Sequence, residues 1–225
     1  MNISEIFFSL QGEGKLAGML SVFVRVAGCH LRCQWCDTRY AWEAEKGRER
    51  SIDEILDAVG RHSCAHVVVT GGEPLIAREL PDLLQRLRET GSHVTLETSA
   101  RQYRAVACDL VSISPKLAHS ASDALPDEET QQEHRVNVEA LRKFIDNHDY
   151  QLKFVVQGQR DLGEIEDILA QLPNVDRNNV FLMPQARTKS EHRRRGPLIA
   201  QMCIDHGFRF CPRLQIELWG RRRAR

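Results

Sequence analysis

The 225-residue chain lacks any stretch approaching the ~20 consecutive apolar residues that a membrane-spanning helix needs. Its first residues, Met1-Asn2-Ile3-Ser4-Glu5, show no basic segment running into an apolar one, so no secretory leader is expected. It also lacks net charge: 31 Lys and Arg balance 31 Asp and Glu, which gives no overall attraction to nucleic acid or to a membrane surface. The local exception is Arg221, Arg222, Arg223 and Arg225, a basic tail over 221–225 expected to be solvated and mobile. There is no internal repeat beyond an alternation of short elements, and no interdomain linker, so one domain over 1–225 is expected. A cytoplasmic location follows from these absences. Cysteine, by contrast, is not scarce. There are seven, an odd number, and Cys29, Cys33 and Cys36 crowd together. In a reducing compartment that crowding points to metal ligation rather than a disulfide framework.

Short β-branched runs alternate with helical spacings. Strands are predicted at 21–26, 66–70, 93–97, 110–113, 152–156 and 180–183, with a last one beginning near 209. Helices are predicted at 51–59, 80–90, 138–144, 162–172 and 197–206. Ser51 is a plausible N-cap, and Gly91 and Gly207 are helix stops. Strand, helix, strand in series implies an α/β fold with mostly parallel strands: a complete or partial (β/α) barrel, or an open sheet. In each, chemistry gathers at the carboxyl ends of the strands. Residues 117–136 are polar and acidic and read as a surface insertion or loop. Residues 189–196, with Arg193, Arg194 and Arg195, read as an exposed loop or helix start.

The cysteine cluster and the motifs at 71–74, 97–99, 114–116 and 183–185 fall at strand ends, and so on one rim. The first is Gly28-Cys29-His30-Leu31-Arg32-Cys33-Gln34-Trp35-Cys36-Asp37-Thr38, a C-x3-C-x2-C spacing. Thiolates suit iron–sulfur clusters, zinc or Cu(I). A structural zinc closes with four protein ligands, and no fourth stands nearby here. Three cysteines on a four-iron cluster leave one iron open to a chelating molecule. Cys64, Cys108, Cys203 and Cys211 are scattered singly and read as core residues.

Thr70-Gly71-Gly72-Glu73-Pro74 closes a strand, and its paired glycines allow close backbone approach to a ligand. The Glu73 carboxylate could accept hydrogen bonds from an ammonium group; an ordinary βα turn is the plainer reading. Glu97-Thr98-Ser99 and Ser114-Pro115-Lys116 end later strands. Gln11-Gly12-Glu13-Gly14 could clamp a polar heterocycle or could be a surface turn. Arg25 lies mid-strand among apolar residues and needs a negative partner, either a substrate carboxylate or a structural carboxylate.

Taken in order, Leu10-Gln11-Gly12-Glu13-Gly14, Phe23 to Cys29, Cys33 to Thr38, Thr70 to Pro74, Glu97-Thr98-Ser99 and Ser114-Pro115-Lys116 resemble the 7-carboxy-7-deazaguanine synthase family of the radical S-adenosylmethionine (SAM) superfamily. The L-Q-G-E-G and C-D-T pair is the discriminating part. The resemblance implies a partial or modified (β/α) barrel and a [4Fe–4S] cluster on Cys29, Cys33 and Cys36. It implies that SAM is cleaved to a 5′-deoxyadenosyl radical. The radical takes hydrogen from 6-carboxy-5,6,7,8-tetrahydropterin, whose ring contracts to 7-carboxy-7-deazaguanine with loss of ammonia. By the same matching, Leu10, Gln11, Gly12, Arg25 and Thr70 would touch substrate, joined by Glu13 from the clamp reading. Trp35, Cys36, Asp37, Gly72, Ser114, Pro115 and Lys116 would touch SAM, and Met183 to Ala186, Gln185 among them, fall at a further SAM contact. Thr38 matches the position that meets Mg²⁺, for which a hydroxyl oxygen is a suitable hard ligand. A flavodoxin-like electron donor and a homodimer are implied as partners. Two departures stand out: Ala100 replaces the glycine usual after E-T-S, and Gln215 stands where the family ending has histidine. The competing readings are another radical SAM enzyme, such as a glycyl-radical activase acting on a protein, and a zinc-bearing binding module without catalysis.

Overall fold

The computed structural model describes residues 1–121, 136–220 and 222–224. Nine strands form one sheet: β1 (Asn2–Leu10), β2 (Leu20–Val26), β3 (Arg48–Glu49), β4 (His66–Gly71), β5 (His93–Thr98), β6 (Leu110–Ile113), β7 (Tyr150–Val156), β8 (Val180–Pro184) and β9 (Arg209–Phe210). The order is β3-β1-β2-β4-β5-β6-β7-β8-β9. From β2 to β9 every neighbour is parallel, while β1 pairs antiparallel with both β2 and β3. Among the described residues the sheet is open, with β3 and β9 at its edges. The expected partial barrel of mostly parallel strands is therefore present.

Among the described residues six α-helices accompany the sheet: α1 (Ile52–Gly60), α2 (Leu80–Glu89), α3 (Val138–Asn147), α4 (Leu162–Ala170), α5 (Lys189–His206) and α6 (Leu214–Trp219). Local chemistry sets their starts. Ser51 and Glu54 form a capping box on α1, with the Glu54 N–H donating to Ser51 Oγ at 3.2 Å. Asn137 Oδ1 accepts from the Ala140 N–H at the start of α3. No helix among the described residues is long and apolar enough to cross a membrane.

Period-two alternation divides each parallel strand into two roles. Val22, Val24 and Val26, Val67 and Val69, Val94 and Leu96, Val111 and Ile113, Leu152, Phe154 and Val156, and Val180 and Leu182 join the core that includes Leu80, Leu83, Leu84 and Leu87 of α2. Residues of the opposite phase face away from that core. They include Phe23, Arg25, Thr70, Glu97, Ser112, Lys153 and Met183, and they line a cavity of about 650 Å³. The fold thus places the main apolar core on one side of the sheet and, on the other, a floor that mixes polar residues with a smaller apolar cluster of Val155, Phe181, Met183 and Cys211.

Some elements differ from the sequence expectation, and β3 and α6 have no counterpart in it. β1 was not foreseen, because its residues mix burial classes and it pairs antiparallel. Of the two readings of 189–196, the helix start is the one present: Thr188 and Glu191 form a capping box that begins α5 ahead of Gly196 and Pro197, so the helix runs from Lys189 instead of from the expected 197. Of the expected surface insertion, 122–135 lies outside the described residues. In its first part a short turn buries Leu117 and Ser120 and leaves Ala118 exposed.

Candidate active site

The polar floor is built by strand register. Arg25 pairs with Thr70 across β2 and β4, Glu97 with Ser112 across β5 and β6, and Ser112 with Gln151 across β6 and β7. Parallel partners point to the same face, so these side chains form a row. The Thr70 hydroxyl donates to Glu97 Oε2 at 2.8 Å and Gln11 Nε2 donates to Glu97 Oε1 at 3.2 Å. The β1–β2 connection is pinned over this floor. Gly14 has a φ of +72°, and a side chain there would run into the Gln151 amide, while the Lys15 N–H donates to Gln151 Oε1 at 2.7 Å.

A cluster of buried ions adjoins the row. Lys153 Nζ lies 3.0 Å from Glu13 Oε2 and 3.5 Å from Glu97 Oε1, with 4% of its side chain exposed. Arg213 Nε donates to Glu13 Oε1 at 3.1 Å, and Gln215 Nε2 donates to the same oxygen at 2.8 Å. Burial alone would raise the Glu13 carboxyl, but Lys153 and Arg213 overcome it and hold the group well below the usual carboxylate range. Burial likewise opposes the charge on Lys153, and Glu97 and Glu13 outweigh it, so the ammonium stays protonated.

The cysteine loop follows β2. Its entry is locked to the glycine pair after β4: the Gly72 N–H donates to the Val26 carbonyl and the Glu73 N–H to the Gly28 carbonyl. A Cβ on Gly72 would sit 2.1 Å from the Gly28 oxygen and 2.8 Å from Cys29 Cβ, so no side chain fits. The far end is propped by the 117–121 turn, where the Gln34 N–H donates to the Ser120 carbonyl at 3.0 Å. Burial pushes the Cys29 thiol up to about 12 and raises that of Cys33 as well. Buried thiols held this far from ionisation are stabilised as thiolates once a metal is bound. Among the described residues no three His, Cys, Asp or Glu side chains converge where a single ion would sit. A four-iron cluster asks for something else, since each cysteine binds a different iron and the sulfurs need not share one point. The three-thiolate set therefore fits such a cluster. Nearby, Lys116 Nζ donates to Ser114 Oγ at 2.9 Å and lies over the Trp35 ring.

Most residues singled out from sequence meet in this cavity. Leu10, Gln11, Gly12, Glu13, Arg25, Cys29, Cys33, Trp35, Cys36, Asp37, Thr38, Thr70, Gly72, Ser114 and Lys116 all line it. Pro115 and Gln185 do not; the Gln185 N–H donates to Val156 and its carbonyl accepts from Arg195, while Met183 reaches the wall instead. Arg25 has the structural partner that sequence left open: its Nε lies 2.8 Å from Glu5 Oε1. Glu73 lines the cavity too, and its buried carboxylate accepts from the Thr98 and Ser99 hydroxyls and from the Ser99 and Leu75 N–H groups. Of the tail, Arg221 and Arg225 lie outside the described residues; Arg223 is engaged with Glu5 at 2.9 Å and with the Tyr40 ring rather than free in solvent. The departure at Gln215 lands on the cavity wall, where Gly12 leaves room for its amide. Sequence reasoning missed Lys153 and Arg213. For Lys153 a signal existed, a lysine inside a run that is otherwise apolar at 152, 154, 155 and 156.

Comparison with known proteins gives a consistent result. Residues 23–152 match the model of the radical SAM superfamily. The chain is 40% identical over 226 residues to the 7-carboxy-7-deazaguanine synthase of Rhodopirellula baltica, covering 99% of this chain and 88% of that one. It is 42% identical over 231 residues to the protein of the same name from Halobacterium salinarum, covering 96% and 90%. A crystal structure of QueE from Escherichia coli superimposes with a TM-score of 0.72 at 27% identity, covering 93% of this chain and 92% of that one.

Proposed function

The chain belongs to the 7-carboxy-7-deazaguanine synthase family of the radical SAM superfamily, and from that premise we propose how its cavity performs the family's reaction. The activity is the ring contraction of 6-carboxy-5,6,7,8-tetrahydropterin to 7-carboxy-7-deazaguanine with loss of ammonia, a step of queuosine and 7-deazapurine biosynthesis. The observation that carries this reading is the meeting, in one cavity, of a three-cysteine loop with the hydrogen-bonding wall of Gln11, Glu13, Thr70 and Glu97.

Cys29, Cys33 and Cys36 would hold a [4Fe–4S] cluster, which together with SAM would supply a radical able to take a hydrogen atom from the substrate. Trp35, Cys36, Asp37, Gly72, Ser114 and Lys116 surround SAM, with Pro115 supporting that turn. Gly72 lets the backbone come close, and Met183 takes the wall position we would otherwise give to Gln185. Leu10, Gln11, Gly12, Glu13, Arg25 and Thr70 receive the pterin. Its amino-pyrimidinone edge presents donors that match an ionised Glu13, and the carboxamide of Gln11 can read both donor and acceptor. Arg25 and a cation at Thr38 offset the substrate carboxylate. Mg²⁺ suits the Thr38 hydroxyl with further oxygens from the substrate. The sheet floor and the segment around Arg222 and Arg223 narrow access to water, which protects a radical from side reactions.

The whole chain serves as one radical SAM domain. A reducing compartment suits a thiolate-held cluster, which favours the cytoplasm. The family resemblance supports a flavodoxin-like electron donor and a homodimer. The test is to supply reduced, cluster-loaded protein with SAM and 6-carboxytetrahydropterin. Ammonia release and a deazapurine absorbance are expected. A protein that cleaves SAM without either product would be a different radical enzyme, and a colourless protein holding one zinc would remove the enzyme reading altogether.

A further inference from the structure

Arg213 is unusual in what it joins. It sits between β9 and α6, with 9% of its side chain exposed, and each part of its guanidinium meets a different segment. Nε donates to Glu13 Oε1 of the β1–β2 connection at 3.1 Å. Nη2 donates to Asp37 Oδ2 of the cysteine loop at 2.5 Å. Nη1 donates to the Ala186 carbonyl just after β8. Glu13 has two further partners in Lys153 and Gln215, whereas Arg213 is the cation paired with Asp37. Asp37 directly follows the last cysteine and Glu13 stands in the wall opposite, so the guanidinium spans the two halves of the cavity.

Only a rigid, planar fork can do this. Guanidinium donors point in fixed directions and serve carboxylates on separate edges at once, while an ammonium is a single point of charge. We propose that Arg213 is a positioning residue that sets two binding functions together: it fixes Asp37 for SAM and Glu13 for the pterin. The proposal rests on the functional reading above, which assigns Asp37 to SAM and Glu13 to substrate. It adds a residue from the far end of the chain that touches neither ligand in that assignment. Because one side chain orders both carboxylates, its loss must weaken both ligands, and each loss must run through its own carboxylate.

The experiment is a pair of double-mutant cycles on cluster-loaded protein, reading equilibrium binding of SAM and of 6-carboxytetrahydropterin separately, with iron content measured throughout. Arg213→Met is expected to raise both dissociation constants by about tenfold, the scale of a lost charge-assisted contact. In an Asp37→Asn background the effect on SAM disappears while the effect on the pterin remains. In a Glu13→Gln background the reverse holds. A general loosening of the fold would instead carry through every background undiminished. Arg213→Lys, the gentler variant should methionine cost the protein its iron, recovers at most one of the two affinities. The proposal is overturned if Arg213→Met weakens one ligand alone, if its effects survive unchanged in both backgrounds, or if lysine restores both. A parent protein that binds SAM but not the pterin refutes the functional reading; the Asp37 cycle then still judges Arg213 on SAM alone.

Discussion

Replacing Lys153 by methionine keeps all but the last atom of the side chain's length and removes the ammonium that two buried carboxylates share. Lys153 lies 3.0 Å from Glu13 and 3.5 Å from Glu97. Breaking a buried pair by deleting one partner costs about 3–5 kcal/mol, because an uncompensated charge is left behind. The lower end applies here, since Glu13 keeps Arg213 and Gln215 and Glu97 keeps Thr70 and Gln11. A chain of this size loses about 2–4 °C of Tm per kcal/mol. Lys153→Met should therefore melt about 6–12 °C below the parent at pH 7 by circular dichroism. The pH dependence has a definite sign. The Glu13 carboxyl is held low in the folded parent by Lys153 and Arg213 against burial. A carboxyl depressed in this way contributes stability that is present above its unfolded value, about 4.5, and is lost as pH falls towards the folded value. The gap between variant and parent should thus narrow below about pH 4.5. A Tm change under about 2 °C at neutral pH, or a gap that widens on acidification, would refute the assignment of Lys153 as the charge that balances this wall.

Other substitutions probe the remaining parts of the site. Gly72→Ala should cut the iron retained after reconstitution, because its Cβ would meet the Gly28 oxygen at 2.1 Å, whereas Gly163→Ala, with open space around it, should leave iron content intact. Cys64→Ala should not change the iron count, and a drop would mean that the ligand set is wrong. Arg25→Ala should lower turnover far more than SAM binding, and should also cost stability by leaving Glu5 short of a partner held at 2.8 Å; equal loss of turnover and SAM affinity would show that Arg25 does not serve the substrate side.

What the sequence made legible follows from how far apart the cooperating residues lie. The cysteine loop, the glycine pair and the parallel strands are local patterns, and each appears where spacing and β-branched runs placed it. β1 escaped because an antiparallel strand with mixed burial gives no continuous apolar run. The start of α5 was legible as one of two readings, because Gly196 and Pro197 look like punctuation, while the Thr188–Glu191 capping box outweighs them. The charged wall was least legible. Lys153 and Arg213 meet Glu13 across 140 and 200 residues of chain. A lysine in an otherwise apolar strand announces a buried partner without naming it. Arg213 carries no such mark, since nothing in its neighbourhood of sequence says that it will reach Glu13 and Asp37. For Glu73 the motif gave its place at the cavity, while its partners Thr98 and Ser99, on the next strand, were not legible.

The cavity wall is stitched from the first and last parts of the chain, with Glu13 facing Arg213 and Gln215. A polypeptide emerges from the ribosome amino end first. The cysteines are therefore displayed long before the residues that complete the pocket beside them. During synthesis the chain thus passes through a stage in which the thiols exist and the residues that finish their chamber do not.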